Sequence, residues 1–116
     1  MSKRLLIADD AAFIREIIKV IAKDQQCIVV GEAEDGEETL SKCELLLPDI
    51  LFLDLVMPKI SGLEVLKLIR PQYPKMKIII CSTLDDMDFV SKIDPGLFDA
   101  KLSKPFQKED VVRVLV

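Results

Sequence analysis

The stretch 49–58 places the strongest constraint on how this chain folds. Residues 50–53 are all apolar and lie between two carboxylates, Asp49 and Asp54. An apolar run without polar alternation predicts a strand that is buried on both faces, as in a parallel sheet. Pro58 then stops the strand and starts a loop. The pattern therefore predicts a central strand that places Asp54 at its carboxyl end, where open α/β sheets bind their ligands.

Further apolar runs alternate with segments of helical periodicity. The predicted strands span residues 5–8, 27–33, 50–53, 78–81 and 100–103. The first helix has an apolar stripe of Phe13, Ile14, Ile17, Ile18 and Ile21, with Arg15, Glu16, Lys19 and Lys23 off the stripe. The second helix is predicted over about 37–46, with Leu40, Cys43 and Leu47 on its apolar side. The third helix is predicted to begin at a Ser61-x-x-Glu64 capping box and to be ended by Pro71 and Pro74. A short fourth helix is predicted around Met87 and Val90, and a fifth from about 107. This alternation predicts a doubly wound parallel sheet with helices on both faces and all strand carboxyl ends at one edge.

Composition and charge exclude several classes of function. The chain has 116 residues, 50% of them hydrophobic and 31% charged, which is typical of one globular domain. The net charge of −4 argues against nucleic-acid binding by this domain, because that function needs a basic face. The chain has no histidine, so it cannot build a Ser-His-Asp or Cys-His catalytic centre or a histidine-ligated metal site.

The cysteines and the chain ends predict a cytoplasmic location and one domain. Cys27, Cys43 and Cys81 are widely spaced among apolar residues, which predicts reduced core thiols rather than disulfides or a zinc site. The amino terminus is basic, but the apolar run that follows it spans only residues 5–8. This run is too short for a signal peptide or for a segment that inserts into a membrane. Residues 114–116 are still apolar, so we expect one domain over 1–116 whose last helix is either short by nature or cut off.

Polar residues follow four of the predicted strands. They are Asp9 and Asp10 after the first, Asp54 after the third, Ser82 and Thr83 after the fourth, and Lys104 after the fifth. Carboxylates gathered at one edge repel one another unless a cation neutralises them. Mg²⁺ suits such an all-oxygen site of carboxylates, a backbone carbonyl and waters. Asp54 as nucleophile, the ion and the Lys104 ammonium would suffice for transfer of a phosphoryl group to Asp54.

Each of these residues has a simpler interpretation when it is taken alone. Asp9 and Asp10 could form a solvated turn that caps a helix, and Asp54 could be a turn acid. Ser82 could be a plain loop hydroxyl and Lys104 a surface lysine. These interpretations weaken together, because all the positions fall at the same end of successive strands.

The ordered set of motifs resembles a known family. The motifs are Asp9-Asp10, Asp54 with Met57-Pro58 and Gly62, Ser82, and Lys104-Pro105-Phe106. Their order and spacing are similar to those of the CheY-like receiver domain of bacterial two-component response regulators, over nearly the whole chain. The resemblance implies a flavodoxin-like (CheY-like) doubly wound five-stranded parallel sheet of order 2-1-3-4-5.

The resemblance also implies a metal site and a phosphoacceptor. Asp54 would accept the phosphoryl group. Asp10, Asp54 and the backbone carbonyl of Val56 would bind Mg²⁺ directly, and Asp9 would act mainly through water.

The function implied by the resemblance is signalling rather than enzymatic turnover. The resemblance implies that a sensor histidine kinase donates the phosphoryl group, and the phosphohistidine must then belong to that partner, since this chain has no histidine. Ser82 would turn toward one phosphoryl oxygen and Lys104 would pair with another, with a cis peptide bond between Lys104 and Pro105. The loops that move would report the added charge to a downstream target or a fused output domain. The CheY-like amino-terminal third favours chemotaxis.

A few positions depart from the pattern of the family. Lys101 stands where the family usually has a switch aromatic, so rotation of a buried ring cannot be the coupling device. Thr83 stands where a small alanine is common and narrows access to the site. Val56 and Leu84 are apolar and cannot orient a hydrolytic water, so we predict a slowly lost phosphoryl group.

Two other functions stay open on the sequence. A haloacid-dehalogenase-type phosphatase also combines Asp, Ser or Thr, and Lys at strand ends. Such an enzyme needs a general acid two residues after its nucleophile, and this chain has Val56 there. A receiver-like interaction module that is never phosphorylated is the second alternative, which the missing aromatic makes conceivable.

Overall fold

The structure is a computed structural model that describes residues 2–115, except for the side chains of Leu84 and Met87. The strands are β1 (Arg4–Ala8), β2 (Ile28–Ala33), β3 (Ile50–Asp54), β4 (Lys77–Thr83) and β5 (Ala100–Lys104). The helices are α1 (Ala12–Asp24), α2 (Gly36–Leu46), α3 (Gly62–Gln72), α4 (Met87–Val90) and α5 (Lys108–Leu115). None of these helices is long and apolar enough to cross a membrane. All strands pair in parallel in the order β2-β1-β3-β4-β5, which confirms the predicted fold.

β3 lies at the centre of the sheet and is buried along its whole length. Alternate side chains of a strand point to opposite faces. Leu51 and Leu53 therefore pack into the core beneath α2 and α3, whereas Ile50 and Phe52 pack into the core beneath α1 and α5. Two cores, one on each face, explain why this strand has a continuous apolar sequence.

α3 begins with a side-chain cap and continues through a proline. Ser61 Oγ accepts a hydrogen bond from the Glu64 N–H at 3.2 Å, as the predicted capping box requires of its serine. Pro71 and Pro74 were predicted to end the helix, and α3 ends between them at Gln72, so Pro71 itself lies inside the helix. The Arg70 guanidinium donates to the Tyr73 carbonyl at 3.2 Å, which ties the last turn of the helix to the residue that follows it.

α1 presents a different face to the core from the one predicted. Ile18 and Ile21 are buried as expected, but Phe13 is 74% exposed. Arg15, which we predicted off the apolar stripe, is 9% exposed. The cause is an acidic partner on β2, since Arg15 Nε donates to Glu32 Oε1 at 2.9 Å and a paired charge can be buried.

α2 ends next to a residue in the left-handed region. Leu47, predicted on the apolar side of this helix, has a φ of 47° and donates its N–H to the Cys43 carbonyl at 3.0 Å. Its side chain is 58% exposed, so that part of the prediction is wrong. Leu40 and Cys43 pack into the core as expected.

The segment between β4 and β5 contains little regular structure. A 3₁₀ turn (Leu84–Asp86) precedes the short α4, and a second one (Pro95–Leu97) follows it. Val90 is buried, which agrees with the predicted short helix. The side chain of Met87 and the whole of Val116, both predicted on helices, lie outside the described part of the chain.

Candidate functional site

Three carboxylates meet at the carboxyl edge of the sheet. Asp9 follows β1 directly, and Asp54 is the last residue of the neighbouring strand β3. Asp10 comes next in the chain, and one carboxylate oxygen from each of the three lies within 4.8 Å of the others. Asp9 and Asp54 are buried, whereas Asp10 is exposed. The structure thus brings together the three acids that the sequence singled out.

Lys104, the last residue of β5, adds a cation to these acids. Its Nζ donates to Asp9 Oδ2 at 2.8 Å and to Asp54 Oδ2 at 3.3 Å. Burial lowers the pKa of the Lys104 ammonium, but the hydrogen bond to Asp9 and the charges of Asp54 and Asp9 outweigh burial, so that the pKa is raised. Lys104 therefore stays charged and bridges two acids that would otherwise repel each other.

The Asp54 carboxylate lies in an environment that disfavours its charge. Burial raises the pKa of Asp54 to about 6, and the nearby Asp9 charge acts in the same direction. A hydrogen bond from the Val56 N–H to Asp54 Oδ1 at 3.1 Å and the Lys104 charge offset part of this effect. A further cation beside Asp54 would therefore stabilise its ionised form.

The donor atoms fit a hard divalent cation such as Mg²⁺, which prefers oxygen ligands. Both oxygens of Asp9 are already engaged, Oδ1 by the Ala11 N–H at 2.9 Å and Oδ2 by Lys104. Both oxygens of Asp54 are likewise engaged, Oδ1 by the Val56 N–H at 3.1 Å and Oδ2 by Lys104 at 3.3 Å, whereas Asp10 is exposed and is therefore the most accessible of the three acids.

The residues on β4 and β5 lie at the same edge. Ser82 is buried, and its hydroxyl donates a long hydrogen bond to the Thr83 carbonyl at 3.4 Å. The Thr83 hydroxyl donates to Asp86 Oδ2 at 2.9 Å, which ties the strand end to the following turn. Lys101 is exposed on β5, so no buried ring occupies that position. The peptide bond between Lys104 and Pro105 is cis, as predicted.

α3 begins directly against the end of β3. The Gly62 N–H donates to the Leu55 carbonyl at 3.0 Å. A Cβ at Gly62 would lie 2.3 Å from the Asp54 carbonyl oxygen and 2.4 Å from Leu55 Cα. Glycine is therefore required here by the close approach of two backbones, and Gly62 helps to position the turn that carries Asp54 and Val56.

The sequence-based prediction missed Arg15 as a neighbour of the site. Its Nη1 donates to the Asp9 carbonyl oxygen at 2.7 Å, from the buried side of α1. Hydropathy alone places an arginine in solvent, because charged side chains are rarely buried without a partner. The sequence feature that could have indicated a buried Arg15 is Glu32, which interrupts an otherwise apolar stretch of β2. Only the fold shows that the side chains of Arg15 and Glu32 meet.

Comparison with known proteins is consistent with this geometry. A family model described as the response regulator receiver domain matches residues 5–116. The chain is 42% identical to the chemotaxis protein CheY of Listeria monocytogenes, over 97% of this chain and 94% of that protein. It is 40% identical to the chemotaxis protein CheY of Thermotoga maritima, over 99% of this chain and 96% of that protein.

Solved structures show the same fold. The receiver domain of AraT, a response regulator from Geobacillus stearothermophilus, superposes with a TM-score of 0.91 at 34% identity, covering 99% of this chain and 91% of that one. The chemotaxis response regulator CheY4 of Vibrio cholerae superposes with a TM-score of 0.87 at 26% identity, covering 99% of this chain and 97% of that one. Sequence and fold agree over almost the whole length, and this chain therefore belongs to the response regulator receiver domain family, as a receiver domain of the CheY type.

Proposed function

We propose that this domain accepts a phosphoryl group on Asp54 in a Mg²⁺-dependent reaction and signals through the added charge. The observation that supports the proposal best is the meeting of Asp9, Asp10 and Asp54 with the Lys104 ammonium at one sheet edge. The membership of the receiver domain family favours a sensor histidine kinase as the phosphodonor, and the phosphohistidine must belong to that partner because this chain has no histidine. The domain is then a signalling partner rather than an enzyme, and its only chemistry is its own phosphorylation and dephosphorylation.

The transfer is an in-line displacement at phosphorus. An Asp54 carboxylate oxygen forms a new O–P bond, the P–N bond to the donor imidazole breaks, and the leaving nitrogen takes up a proton. Mg²⁺, held by Asp10, Asp54, the Val56 carbonyl and, through water, Asp9, would neutralise charge on the phosphoryl oxygens. Lys104 is near enough to Asp54 to pair with one of those oxygens.

The phosphoryl group adds nearly two negative charges at the strand ends. To reach a phosphoryl oxygen, the Ser82 hydroxyl gives up its long hydrogen bond to the Thr83 carbonyl. That movement shifts the turn into α4, while the response of Lys104 shifts the end of β5. A downstream target or a fused output domain that binds this face senses the charge without touching Asp54.

The setting of this signalling is supported by the relatives and by the cysteines. The similarity to proteins named as chemotaxis proteins CheY favours a chemotactic role. Cys27, Cys43 and Cys81 are free thiols, which favours the reducing cytoplasm.

Incubation with Mg²⁺ and acetyl phosphate, followed by intact-mass spectrometry, tests the proposal. We expect the wild-type protein to gain the mass of one phosphoryl group and Asp54→Asn to gain none. Asp49→Asn is the matched control, because Asp49 adjoins the opposite end of β3 and accepts a hydrogen bond from the Arg4 N–H at 2.9 Å. This control should be modified as the wild type is.

The other outcomes separate the alternatives. A wild-type protein that neither gains a phosphoryl group nor binds beryllofluoride would contradict the proposal and favour an inert interaction module. Turnover of many phosphoesters would favour a phosphatase instead. Modification that persists in Asp54→Asn would place the acceptor on another residue.

A further inference from the structure

A buried guanidinium lies directly behind the acidic site. We infer that Arg15 is a positioning residue, which fixes the main chain of Asp9 and thereby sets how tightly and how selectively the site binds Mg²⁺. The inference rests on the proposed function, because it concerns the ion that the three carboxylates would hold. It assigns a task to a side chain that touches neither the ion nor the phosphoryl group.

Arg15 holds Asp9 by its main chain. Its Nη1 donates to the Asp9 carbonyl oxygen at 2.7 Å, a charge-assisted hydrogen bond. The Asp9 N–H donates to the Ala33 carbonyl at 3.0 Å, and Asp9 Oδ1 accepts from the Ala11 N–H at 2.9 Å. The peptide units on both sides of Asp9 are thus held from α1, from β2 and by the turn itself. Of these contacts, the hydrogen bond from α1 is donated by the Arg15 side chain, which lies outside the turn.

Acidic side chains on and after β2 hold Arg15 in place. Its Nε donates to Glu32 Oε1 at 2.9 Å, and its Nη2 lies 3.5 Å from Glu34 Oε1. Glu32 also accepts from Lys19 Nζ at 3.1 Å. Burial raises the pKa of Glu32, but its hydrogen bonds to Lys19 and Arg15 outweigh burial and lower the pKa. The Arg15 side chain is 10% exposed and engaged at all three nitrogens, so it cannot turn away without breaking these contacts.

A rigid turn favours a small ion. Mg²⁺ requires short contacts in near-octahedral geometry, whereas Ca²⁺ accepts longer and less regular contacts. The Asp9 carbonyl belongs to the peptide that joins Asp9 to Asp10, so Arg15 fixes the link between two of the three acids. Releasing that peptide should weaken binding of Mg²⁺ more than binding of Ca²⁺.

Isothermal titration of Arg15→Met with each ion tests the inference. We expect the Kd for Mg²⁺ to rise roughly tenfold or more, as is typical when a group behind a metal ligand is removed. The Kd for Ca²⁺ should rise less than about threefold, because that ion tolerates irregular geometry.

Arg70→Met is the matched control. The Arg70 side chain is 14% exposed, pairs with Asp99 at 3.0 Å and donates to the main-chain carbonyls of Tyr73 and Met76, at the other end of α3 from the site. It therefore resembles Arg15 in burial and bonding without contacting the acids. Its replacement should lower stability and leave the ratio of the two Kd values unchanged.

A second measurement needs no metal. In the metal-free protein, we expect the Ala11 and Asp9 amide hydrogens to exchange faster in Arg15→Met than in the wild type, and at the wild-type rate in Arg70→Met. If the wild type binds no Mg²⁺, the proposed function fails, and amide exchange still decides whether Arg15 holds Asp9.

The inference is overturned if both ions are weakened equally, if neither is weakened, or if Ala11 exchange is unchanged in Arg15→Met. Arg15→Lys should recover part of the Mg²⁺ affinity, since an ammonium can still donate to the Asp9 carbonyl, and no recovery would count against the inference. If Arg15→Met does not fold, Glu32→Gln replaces it as the test, because that change weakens the hydrogen bond that Arg15 Nε donates. It should also raise the Kd for Mg²⁺ relative to the Kd for Ca²⁺. An unchanged ratio in that variant would equally overturn the inference.

Discussion

At the scale of single residues, Asp54 carries a charge that opposes folding while it serves the proposed chemistry. Burial raises the pKa of Asp54 to about 6, whereas the pKa of an aspartate in an unfolded chain is roughly 3.9. The folded protein therefore binds this proton more tightly than the unfolded chain does. The contribution of Asp54 to the free energy of unfolding is thus highest at low pH, and it falls as the pH rises from the unfolded pKa through the folded pKa.

Asp54→Asn should accordingly stabilise the metal-free protein. At pH 7.5 with a chelator, we expect its free energy of unfolding in urea to exceed that of the wild type by roughly 2 kcal/mol, because the buried charge is gone and Lys104 keeps its bond to Asp9. Near pH 3.5 the difference should become small, since Asp54 is then mostly protonated in both states of the wild type. A variant that is less stable than the wild type at pH 7.5 would contradict this account.

Val56 bears on how long the phosphoryl group would persist. Its side chain is 63% exposed and, with Ser82, lines a cavity of about 350 Å³. It offers no polar atom to orient an attacking water, so we expect Val56→Asn to shorten the half-life of phosphorylated Asp54 by roughly tenfold. Loss of label from the purified, phosphorylated protein measures this rate. Rapid loss from the wild type, or an unchanged half-life in the variant, would refute the prediction.

At the scale of elements, the contact between β3 and α3 sets the geometry of the site. Alanine favours a helix over glycine by about 1 kcal/mol, so helix propensity alone predicts that Gly62→Ala stabilises the protein. The added Cβ would lie 2.3 Å from the Asp54 carbonyl oxygen, and backbone atoms there have little freedom to move. We expect a net loss of about 2 to 4 kcal/mol in urea unfolding.

Gly96→Ala is the control for that substitution. A Cβ there would lie 3.3 Å from Asp94 Oδ1, which is the end of an exposed side chain that can shift. The expected change in unfolding free energy is below about 1 kcal/mol. Equal losses in the two variants would show that the junction of β3 and α3 is not as tight as the distances indicate.

α1 and α4 show how far elements could be predicted. The apolar period correctly placed α1 and its buried residues Ile18 and Ile21. It could not reveal that Phe13 faces solvent while Arg15 is buried, because that choice depends on Glu32 of β2. The pattern around α4 was weak, and the helix is a single turn between two 3₁₀ turns.

At the scale of the whole molecule, metal binding should couple to folding. Only the folded chain brings Asp9, Asp10 and Asp54 within reach of one ion. An ion at about a hundred times its Kd would add roughly 2.7 kcal/mol to the free energy of unfolding. Mg²⁺ should therefore raise Tm markedly at pH 8 and much less at pH 5, where protons compete for Asp54. Thermal unfolding with Mg²⁺ or a chelator at both pH values checks this, and equal shifts would contradict it.

The sequence by itself determined the sheet, its doubly wound topology and the polar residues at its carboxyl edge. Continuous apolar strands, caps and turn residues are local properties, and parallel strands with right-handed crossovers bring their ends together. Only the tertiary structure decided that Lys104 is shared between Asp9 and Asp54, that Gly62 lies against β3, and that Arg15 is buried behind Asp9. The physical reason is that the burial of a charge, or the fit of a backbone, depends on partners from distant parts of the chain, which no local pattern contains.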